Sequence, residues 1–260
     1  MSNEYECIII IEDNLNDEET LIKETNNENK NHVKEKKKEL LKKFYLEDEN
    51  IFEIGVDEAG RGPLFGRVYS AAVILPKDDK FDHFQMKDSK KFHSKKKIQD
   101  VANYIKENAI AWHVSYEDEK CIDEINILQA TQKAMHNAIE NTIQKVKDKM
   151  NSEHSLQLLV DGNYFHPFKT FNNNKIEFVP HACVEGGDNK YTSIAAASIL
   201  AKVARDNYIE ELVDENPYLS ENYAIDKNKG YGAQKHMEGI KKYGITKWHR
   251  KTFGICKTFL

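Results

Sequence analysis

The sequence predicts an α/β fold, a mixed sheet flanked by helices with a helical region at the C-terminal end. Short apolar segments bounded by turn residues alternate with longer segments of helical periodicity, the pattern expected when strands and helices share one core. The chain has 260 residues, of which 40% are hydrophobic, enough for one large domain. No apolar run approaches the roughly 20 residues that span a bilayer, so we expect no membrane association.

The period of the apolar residues predicts the individual elements. Residues 51–57 and 68–75 are expected to form strands joined by a Gly-rich turn, which makes a hairpin. Further strands are expected at residues 110–116, 156–161 and 175–184. Helices are expected at residues 94–108, 126–150, 189–213 and 233–243.

Charge is distributed unevenly along the chain. Residues 1–30 carry nine Asp or Glu and two Lys, so the net charge of −5 becomes about +2 once this segment is set aside. Residues 1–48 are predicted to form a charged extension, partly helical or flexible, whose deletion should leave function largely unchanged. The main domain is then expected at residues 49–213 and the C-terminal helical region at residues 214–260. A slightly basic body suits a polyanionic ligand.

The cysteines and the N-terminal sequence bear on the cellular compartment of the protein. The four of them are scattered, which predicts neither a zinc site nor a disulfide framework. The apolar run at residues 7–11 has acidic neighbours and no preceding basic segment, which argues against a signal peptide. We therefore expect a cytoplasmic protein.

The segment Asp57-Glu58-Ala59-Gly60-Arg61-Gly62-Pro63 carries the densest chemical signal. The two acids follow a strand that is predicted to be buried, where paired carboxylates are costly unless they bind a cation. Gly60 and Gly62 end the strand and let the backbone approach a ligand closely, because they lack a Cβ. Arg61 between them is placed to contact phosphate or sugar. The alternative is a hairpin turn with an acid pair on the surface.

Two further acids stand at the ends of predicted elements. Asp161 follows the apolar run Leu158-Leu159-Val160, and ligands commonly lie at strand ends in α/β sheets, although an ordinary turn would look the same. Asp188 precedes a helix, where it could be an N-cap only. Together with Asp57 and Glu58 they form an all-oxygen set, which favours Mg²⁺ or Mn²⁺. A pair of such ions is the usual device for phosphodiester hydrolysis.

Six motifs stand out in order along residues 51–253. They are Asp57-Glu-Ala-Gly-Arg-Gly-Pro, Asp88-Ser-Lys-Lys, Val160-Asp-Gly-Asn, Gly187-Asp188 followed by Ser193-Ile-Ala-Ala-Ala-Ser-Ile-Leu-Ala-Lys-Val-Ala-Arg-Asp, Lys229-Gly-Tyr-Gly with His236, and His249-Arg-Lys-Thr-Phe. In this order they resemble the motifs of type 2 ribonuclease H, bacterial ribonuclease HII in particular. Six motifs in one order are far more specific than any single one.

The resemblance implies a fold and an activity. The fold is a ribonuclease-H-like mixed sheet flanked by helices, and the activity is an endonuclease that hydrolyses the RNA strand of RNA/DNA hybrids. It also implies cutting 5′ of single ribonucleotides embedded in duplex DNA, by a two-metal mechanism that leaves 3′-hydroxyl and 5′-phosphate ends. Such an enzyme serves ribonucleotide removal in DNA replication and repair, and we expect a monomer.

Residue roles carry over by position. The residues that match the family's catalytic, metal-binding acids are Asp57, Glu58, Asp161 and Asp188. Gly60, Arg61 and Gly62 match the loop that senses the ribose 2′-hydroxyl, the group that distinguishes RNA from DNA. Tyr231 matches a tyrosine that stacks on the sugar next to the cut. The residues in motifs that contact phosphate or support the site are Lys90, Ser198 and Lys202.

Two features depart from the family pattern. Phe65 and Arg67 stand where small residues or proline are usual, and the extension at residues 1–48 has no counterpart in the common short form. These differences leave the expected chemistry intact and bear on substrate positioning and partners.

Other functions compete with this one. The segment Gly60-Arg-Gly-Pro-Leu-Phe-Gly66 loosely resembles a dinucleotide-binding loop, but such a loop should open a helix, whereas a predicted strand follows here. A non-catalytic nucleic-acid adaptor would have lost the metal-binding acids, and all four are present. A nuclease that needs a run of ribonucleotides stays open on the sequence alone.

Overall fold

The computed structural model of the chain describes residues 40–78, 80–172 and 175–259. Residues 1–39 of the predicted extension lie outside the described residues. None of the described helices is long and apolar enough to cross a membrane.

Seven strands and six α-helices follow one another in the described part of the chain. The strands are β1 (Ile51–Ala59), β2 (Val68–Ile74), β3 (Ala111–Glu117), β4 (Ser155–Asp161), β5 (Lys169–Asn172), β6 (Lys175–Phe178) and β7 (His181–Val184). The helices are α1 (Lys95–Asn108), α2 (Glu119–Val146), α3 (Thr192–Glu215), α4 (Tyr218–Tyr223), α5 (Ile225–Asn228) and α6 (Gln234–Tyr243).

The main sheet has five strands in the order β3-β2-β1-β4-β7. The pairs β1/β2 and β2/β3 are antiparallel, whereas β1/β4 and β4/β7 are parallel. A separate antiparallel pair is formed by β5 and β6. The mixed sheet flanked by helices that the sequence predicted is therefore confirmed.

Each face of the main sheet is covered by a helix. Ala71 and Val73 of β2 pack with α1 and with the alanine-rich start of α3, whereas Ala72 and Ile74 pack with α2 on the opposite face. The contact between β1 and α3 is very close, since a Cβ on Gly55 would lie 2.2 Å from the Ser193 carbonyl carbon. Small residues on both elements permit this approach.

A third apolar cluster joins the C-terminal region to the rest of the domain. Phe65 and Tyr69, at the two sides of the start of β2, pack with residues of α3, α4 and α6. The cluster lies under residues 60–67, the loop that connects β1 to β2. The C-terminal region is thereby placed against that loop.

Two predicted elements are divided in the structure. The strand expected at residues 175–184 is broken at Val179-Pro180, so that β6 and β7 belong to different sheets. The helix expected at residues 126–150 begins earlier, at Glu119, and Asn126 interrupts it with a φ of 66°. The Asn126 side chain accepts a hydrogen bond from the Gln129 N–H at 3.1 Å, which caps the longer part.

Two other predicted boundaries shift near the acids. The strand that should end at Asp57 continues through Glu58 to Ala59. The helix expected from residue 189 begins at Thr192, because Gly187–Asn189 forms a 3-10 turn first.

Residues 41–48 of the predicted extension contact the main domain. The Lys42 N–H donates to the Lys190 carbonyl at 2.8 Å, and the Thr192 N–H donates to the Lys42 carbonyl at 3.0 Å. Further on, the Tyr45 N–H donates to both carboxylate oxygens of Glu53 at 3.0 and 3.1 Å. These bonds attach this segment to the start of α3 and to β1.

Candidate active site

The four acids lie where three neighbouring parallel strands end. Asp57 and Asp161 stand directly after the last pair of the β1/β4 ladder, on adjacent strands. β4 pairs in turn with β7, which leads into the Gly187–Asn189 turn that carries Asp188. Parallel strands end at one edge of a sheet, so residues distant in sequence meet there.

Asp57 is almost fully buried, with 5% of its surface exposed. Its Oδ1 accepts a hydrogen bond from the Glu58 N–H at 2.7 Å, and its carboxylate accepts a second one from the Ser198 hydroxyl. Burial, followed by the charges of Glu58 and Asp161, raises the pKa of Asp57 well above its usual range. The charged form is therefore disfavoured unless a cation joins it.

Glu58 faces Arg61, the loop arginine. Glu58 Oε1 accepts a hydrogen bond from Arg61 Nη1 at 3.2 Å. Burial raises the pKa of Glu58, and the Arg61 charge partly opposes that shift. Because half of the Arg61 side chain is exposed, its guanidinium lies at the rim of the site.

Asp161 connects the end of β4 to the turn that carries Asp188. Asp161 Oδ1 accepts a hydrogen bond from the Gly187 N–H at 2.6 Å. Asp188 is buried, and burial, followed by the charges of Asp88 and Asp161, raises its pKa. Asp188 does not cap α3, whose N-cap is Tyr191. The helix-capping alternative for this acid is therefore wrong.

Asn189 joins Asp188 to another buried acid, Asp88. Its amide Nδ2 donates to Asp188 Oδ1 at 3.0 Å and to Asp88 Oδ2 at 3.2 Å, while its Oδ1 accepts from Lys91 Nζ. The Lys90 N–H donates to Asp88 Oδ1 at 2.9 Å, and the Lys90 charge partly offsets the rise in the pKa of Asp188. The structure thus brings Lys90 close to this acid.

The acids meet in pairs around Asp161. Within the described ranges, no group of three or more His, Cys, Asp or Glu side chains is gathered closely enough to hold a metal ion as it stands. The Asp161 charge nevertheless raises the pKa of each of the other three acids. Burial and mutual repulsion both disfavour the charged form of these carboxylates. A hard divalent cation bound between them would offset both effects, because it prefers oxygen ligands and carries the opposite charge.

The two loop glycines have different neighbours, Arg205 at Gly60 and Tyr231 at Gly62. Gly60 has a φ of 93°, and a Cβ there would lie 2.3 Å from Arg205 Nε. A Cβ on Gly62 would lie 3.5 Å from Tyr231 Cε1, so the tyrosine ring packs next to the loop backbone while half of its surface stays exposed. The structure brings these sequence-predicted residues together.

Ser198 and Lys202 differ in their relation to the acids. Ser198 is buried in α3 between Asp57 and Ser89, whose hydroxyl lies 3.0 Å from its own. Lys202 lies one turn further along α3, and its ammonium pairs with Asp206 at 2.8 Å. Of the two, only Ser198 is seen in contact with a predicted metal-binding acid in the described part of the chain.

Three residues of this region were not singled out from the sequence. Asp88 and Asn189 adjoin the predicted residues Lys90 and Asp188, but neighbours in sequence gave no sign of their shared hydrogen bonds. Arg250 stands in the last of the six motifs, and it is completely buried beneath residues 60–67. A buried arginine cannot be distinguished from a surface one by its place in a short motif.

The two departures from the family pattern are accommodated by packing. Phe65 is fully buried, with its ring 5.1 Å from that of His249. The Arg67 guanidinium lies over the rings of Tyr116 and Tyr208, at 4.0 and 4.3 Å from their centroids. Such cation–aromatic contacts fix the Arg67 side chain at the start of β2.

Comparisons with known proteins agree with this arrangement. A sequence model described as Ribonuclease HII matches residues 54–256. A Ribonuclease HII of Parabacteroides distasonis is 46% identical over 211 residues, covering 81% of this chain and 94% of the relative. A Ribonuclease HII of Bacteroides thetaiotaomicron is 43% identical over 208 residues, covering 80% of this chain and 92% of the relative.

Solved structures show the same fold. The structure of the PCNA:RNase HII complex from Archaeoglobus fulgidus matches with a TM-score of 0.57 at 22% identity, covering 78% of this chain and 95% of that one. Ribonuclease H2 from Pyrococcus horikoshii matches with a TM-score of 0.57 at 22% identity, covering 79% and 95%. The ribonuclease-H-like fold expected from the sequence is confirmed.

Proposed function

Because the chain belongs to the ribonuclease HII family, we propose that it cuts duplex DNA on the 5′ side of single embedded ribonucleotides. Membership makes it a ribonuclease H, an endonuclease that acts on RNA paired with DNA. The finer proposal is that the cut leaves 3′-hydroxyl and 5′-phosphate ends and serves ribonucleotide removal in replication and repair.

One observation carries the proposal. Acids from β1, β4 and the turn after β7 share one electrostatic environment, because the charge of Asp161 on β4 raises the pKa of Asp57, of Glu58 and of Asp188. The loop of Gly60 and Gly62 follows directly on β1, with the ring of Tyr231 against it. Acids that could bind metal ions for phosphodiester hydrolysis thus lie next to a loop whose backbone could contact the sugar.

We propose that two Mg²⁺ or Mn²⁺ ions are held by the acids Asp57, Glu58, Asp161 and Asp188. When bound, such ions supply a nucleophile at neutral pH and charge stabilisation at the leaving oxygen. The Ser198 hydroxyl and the Asn189 amide orient Asp57 and Asp188 respectively through the hydrogen bonds described above. Lys90 and Lys202 are proposed to contact phosphate. A cytoplasmic location and a monomeric state stay predictions.

The first experiment replaces single acids by isosteric amides. Asp57→Asn and Asp188→Asn remove charge with little change of shape, so turnover should fall by roughly a hundredfold or more while duplex binding changes little. Mn²⁺ binding, measured by calorimetry, should weaken in the same variants. Asp78→Asn changes an exposed acid that pairs with Lys80 and serves as the matched control. Near-normal Mg²⁺-dependent turnover in either variant would remove that acid from the site.

The second experiment concerns the substrate. A continuous RNA/DNA hybrid and a duplex with one ribonucleotide are cut in parallel, in Mg²⁺ and in Mn²⁺, and the product ends are identified. We expect cleavage of both, with the cut 5′ of the single ribonucleotide. Cleavage of the hybrid alone would show an enzyme that needs a run of ribonucleotides.

A further inference from the structure

Arg250 makes an unusual set of contacts beneath residues 60–67. Its side chain is 0% exposed, and a guanidinium offers five N–H donors in a rigid planar fork. All five donate to backbone carbonyls of this one loop: Nε to Gly66, Nη1 to Arg61 and Pro63, and Nη2 to Gly60 and Arg67, over 2.6 to 3.1 Å. The donor capacity of Arg250 is used entirely on the loop.

The positive charge of Arg250 is stabilised by the dipoles of backbone carbonyl groups. A buried cation is ordinarily matched by a carboxylate, whereas here five carbonyl oxygens surround the guanidinium. Burial, followed by the charge of Arg205, lowers the pKa of Arg250 to about 9. The group therefore remains a cation at neutral pH, and it draws the carbonyls of the loop toward the protein interior.

The inward carbonyls determine where the loop amides point. The described peptide bonds are all trans, and in a trans peptide the C=O and N–H bonds point in opposite directions. Because the carbonyls of Gly60 and Arg61 point at Arg250, the N–H groups of Arg61 and Gly62 point away from it. Consecutive N–H groups that point the same way form a receptor for an oxygen atom.

The same loop is attached to the C-terminal region on both sides. The Leu64 N–H donates to the Gly230 carbonyl at 2.8 Å, next to Tyr231. The Gly66 N–H donates to the Trp248 carbonyl, also at 2.8 Å. Arg250 thus sets the loop conformation at a defined position relative to the tyrosine.

We propose that Arg250 is the positioning residue for recognition of the ribose at the cleavage site. It acts through the loop, by turning the carbonyls inward so that the Arg61 and Gly62 amides are presented to the sugar. This inference rests on the proposed function, since it assumes that the loop meets a ribonucleotide. Lysine cannot replace Arg250, because an ammonium is a point charge with three donors and lacks the planar fork.

The test compares binding to two duplexes of the same sequence, one with a single ribonucleotide and one of DNA only. Affinities are measured by fluorescence anisotropy with Ca²⁺ in place of Mg²⁺, and cleavage is measured separately in Mg²⁺. In Arg250→Lys the preference for the ribonucleotide duplex should fall by about tenfold, while binding to the DNA duplex stays within about twofold. Lys251→Met removes a positive charge from the adjacent exposed side chain and should leave the preference unchanged.

A measurement on the wild-type protein covers the case in which Arg250→Lys does not fold. The side-chain N–H signals of Arg250 in NMR spectra should shift when the ribonucleotide duplex binds and stay in place with the DNA duplex. An undiminished preference in folded Arg250→Lys, or equal shifts with both duplexes, would overturn the role of Arg250 and leave the proposed function standing. A wild-type protein that neither prefers nor cuts the ribonucleotide duplex would overturn the proposed function and this inference with it.

Discussion

Asp57 and Glu58 show how two adjacent acids contribute to one site. The sequence predicts a strand over residues 51–57, which would place Glu58 in the turn that follows. Instead β1 continues to Ala59, and adjacent strand residues project to opposite faces. Asp57 meets Ser198 of α3, whereas Glu58 meets Arg61 of the loop. Asp161 on the neighbouring strand interacts with both acids, so the site is assembled across the edge of the sheet.

Tyr231 provides the prediction at the scale of a residue. If its ring stacks on the deoxyribose 3′ to the cut ribonucleotide, Tyr231→Ala loses one stacking contact, which is worth about 1 to 3 kcal/mol. Cleavage at a single embedded ribonucleotide should then slow by roughly tenfold to a hundredfold, and Tyr231→Phe should retain much more. Steady-state rates on a continuous hybrid should fall less, because a ribose occupies that place.

The control for Tyr231 is Tyr243, a tyrosine of α6 with similar exposure. Tyr243→Ala should leave the ratio of the two rates unchanged. Equal losses on both substrates for Tyr231→Ala, or no loss on either, would refute a role in sensing the RNA-to-DNA junction.

At the scale of elements, the segment before β1 has a structural role that its composition did not reveal. Its backbone pairs with Lys190 and Thr192, at the start of the helix that follows Asp188. The Lys77 ammonium donates to the carbonyls of Leu46 and Asp48 at 2.6 and 2.7 Å. Residues 41–48 therefore contribute to the body of the protein.

Two truncations test this contribution. Deletion of residues 1–39 should leave stability and cleavage largely unchanged, because the eleven Asp or Glu and six Lys that it removes give the segment a net charge of −5, which repels a polyanion. Deletion of residues 1–48 leaves the buried Glu53 carboxylate and the Thr192 N–H without the partners described above, at about 1 to 3 kcal/mol for each buried group. The free energy of unfolding in urea should therefore fall by roughly 2 to 6 kcal/mol. Equal stability of the two truncations would show that the segment is dispensable.

At the scale of the whole molecule, a pair of buried histidines connects the C-terminal region to the Tyr231 loop. The Thr246 N–H donates to His249 Nδ1 at 2.9 Å, so His249 carries its proton on Nε2. That Nε2 lies 3.1 Å from His236 Nε2, and His236 Nδ1 lies 2.8 Å from the Tyr231 carbonyl. This chain of hydrogen bonds is complete when both rings are neutral, and an added proton would interrupt it.

The histidine pair makes the stability of the protein depend on pH. Burial, followed by the charge of His236, lowers the pKa of His249 to about 3 from 6.5. As the pH falls from about 6.5 to about 3, the unfolded chain takes up a proton that the folded protein does not. The free energy of unfolding should then decrease by up to about 1.4 kcal/mol per pH unit for this group. The acids with raised pKa values have the opposite effect. Above the unfolded pKa of each acid, the folded protein binds the proton more readily than the unfolded chain, so a falling pH increases the free energy of unfolding.

Urea unfolding between pH 7 and 5, with metal removed, measures this dependence. His249→Gln keeps a donor and an acceptor but cannot be protonated, so its slope with pH should be smaller than that of the wild-type protein. His93→Gln, at an exposed position, should retain the wild-type slope. Identical slopes for wild type and His249→Gln would exclude this origin of acid sensitivity.

The sequence alone determined the elements and the chemistry that depend on neighbouring residues. The apolar period predicted β1, β2 and α1 closely, because burial on one face of a strand or helix repeats along the chain. The order of the six motifs identified the family and with it the acids, the Gly60–Gly62 segment and Tyr231. These are local signals, and each is contained in a short stretch of sequence.

The tertiary structure decided which distant groups meet. Residues 175–184 form two strands because Pro180 interrupts them and the two halves pair with different partners. Arg61 and Arg250 both stand within the six motifs, yet one is at the surface and the other is buried under a loop 183 to 190 residues away in sequence. Burial and hydrogen-bond partners are properties of the folded whole, since they depend on segments that are brought together only when the chain packs.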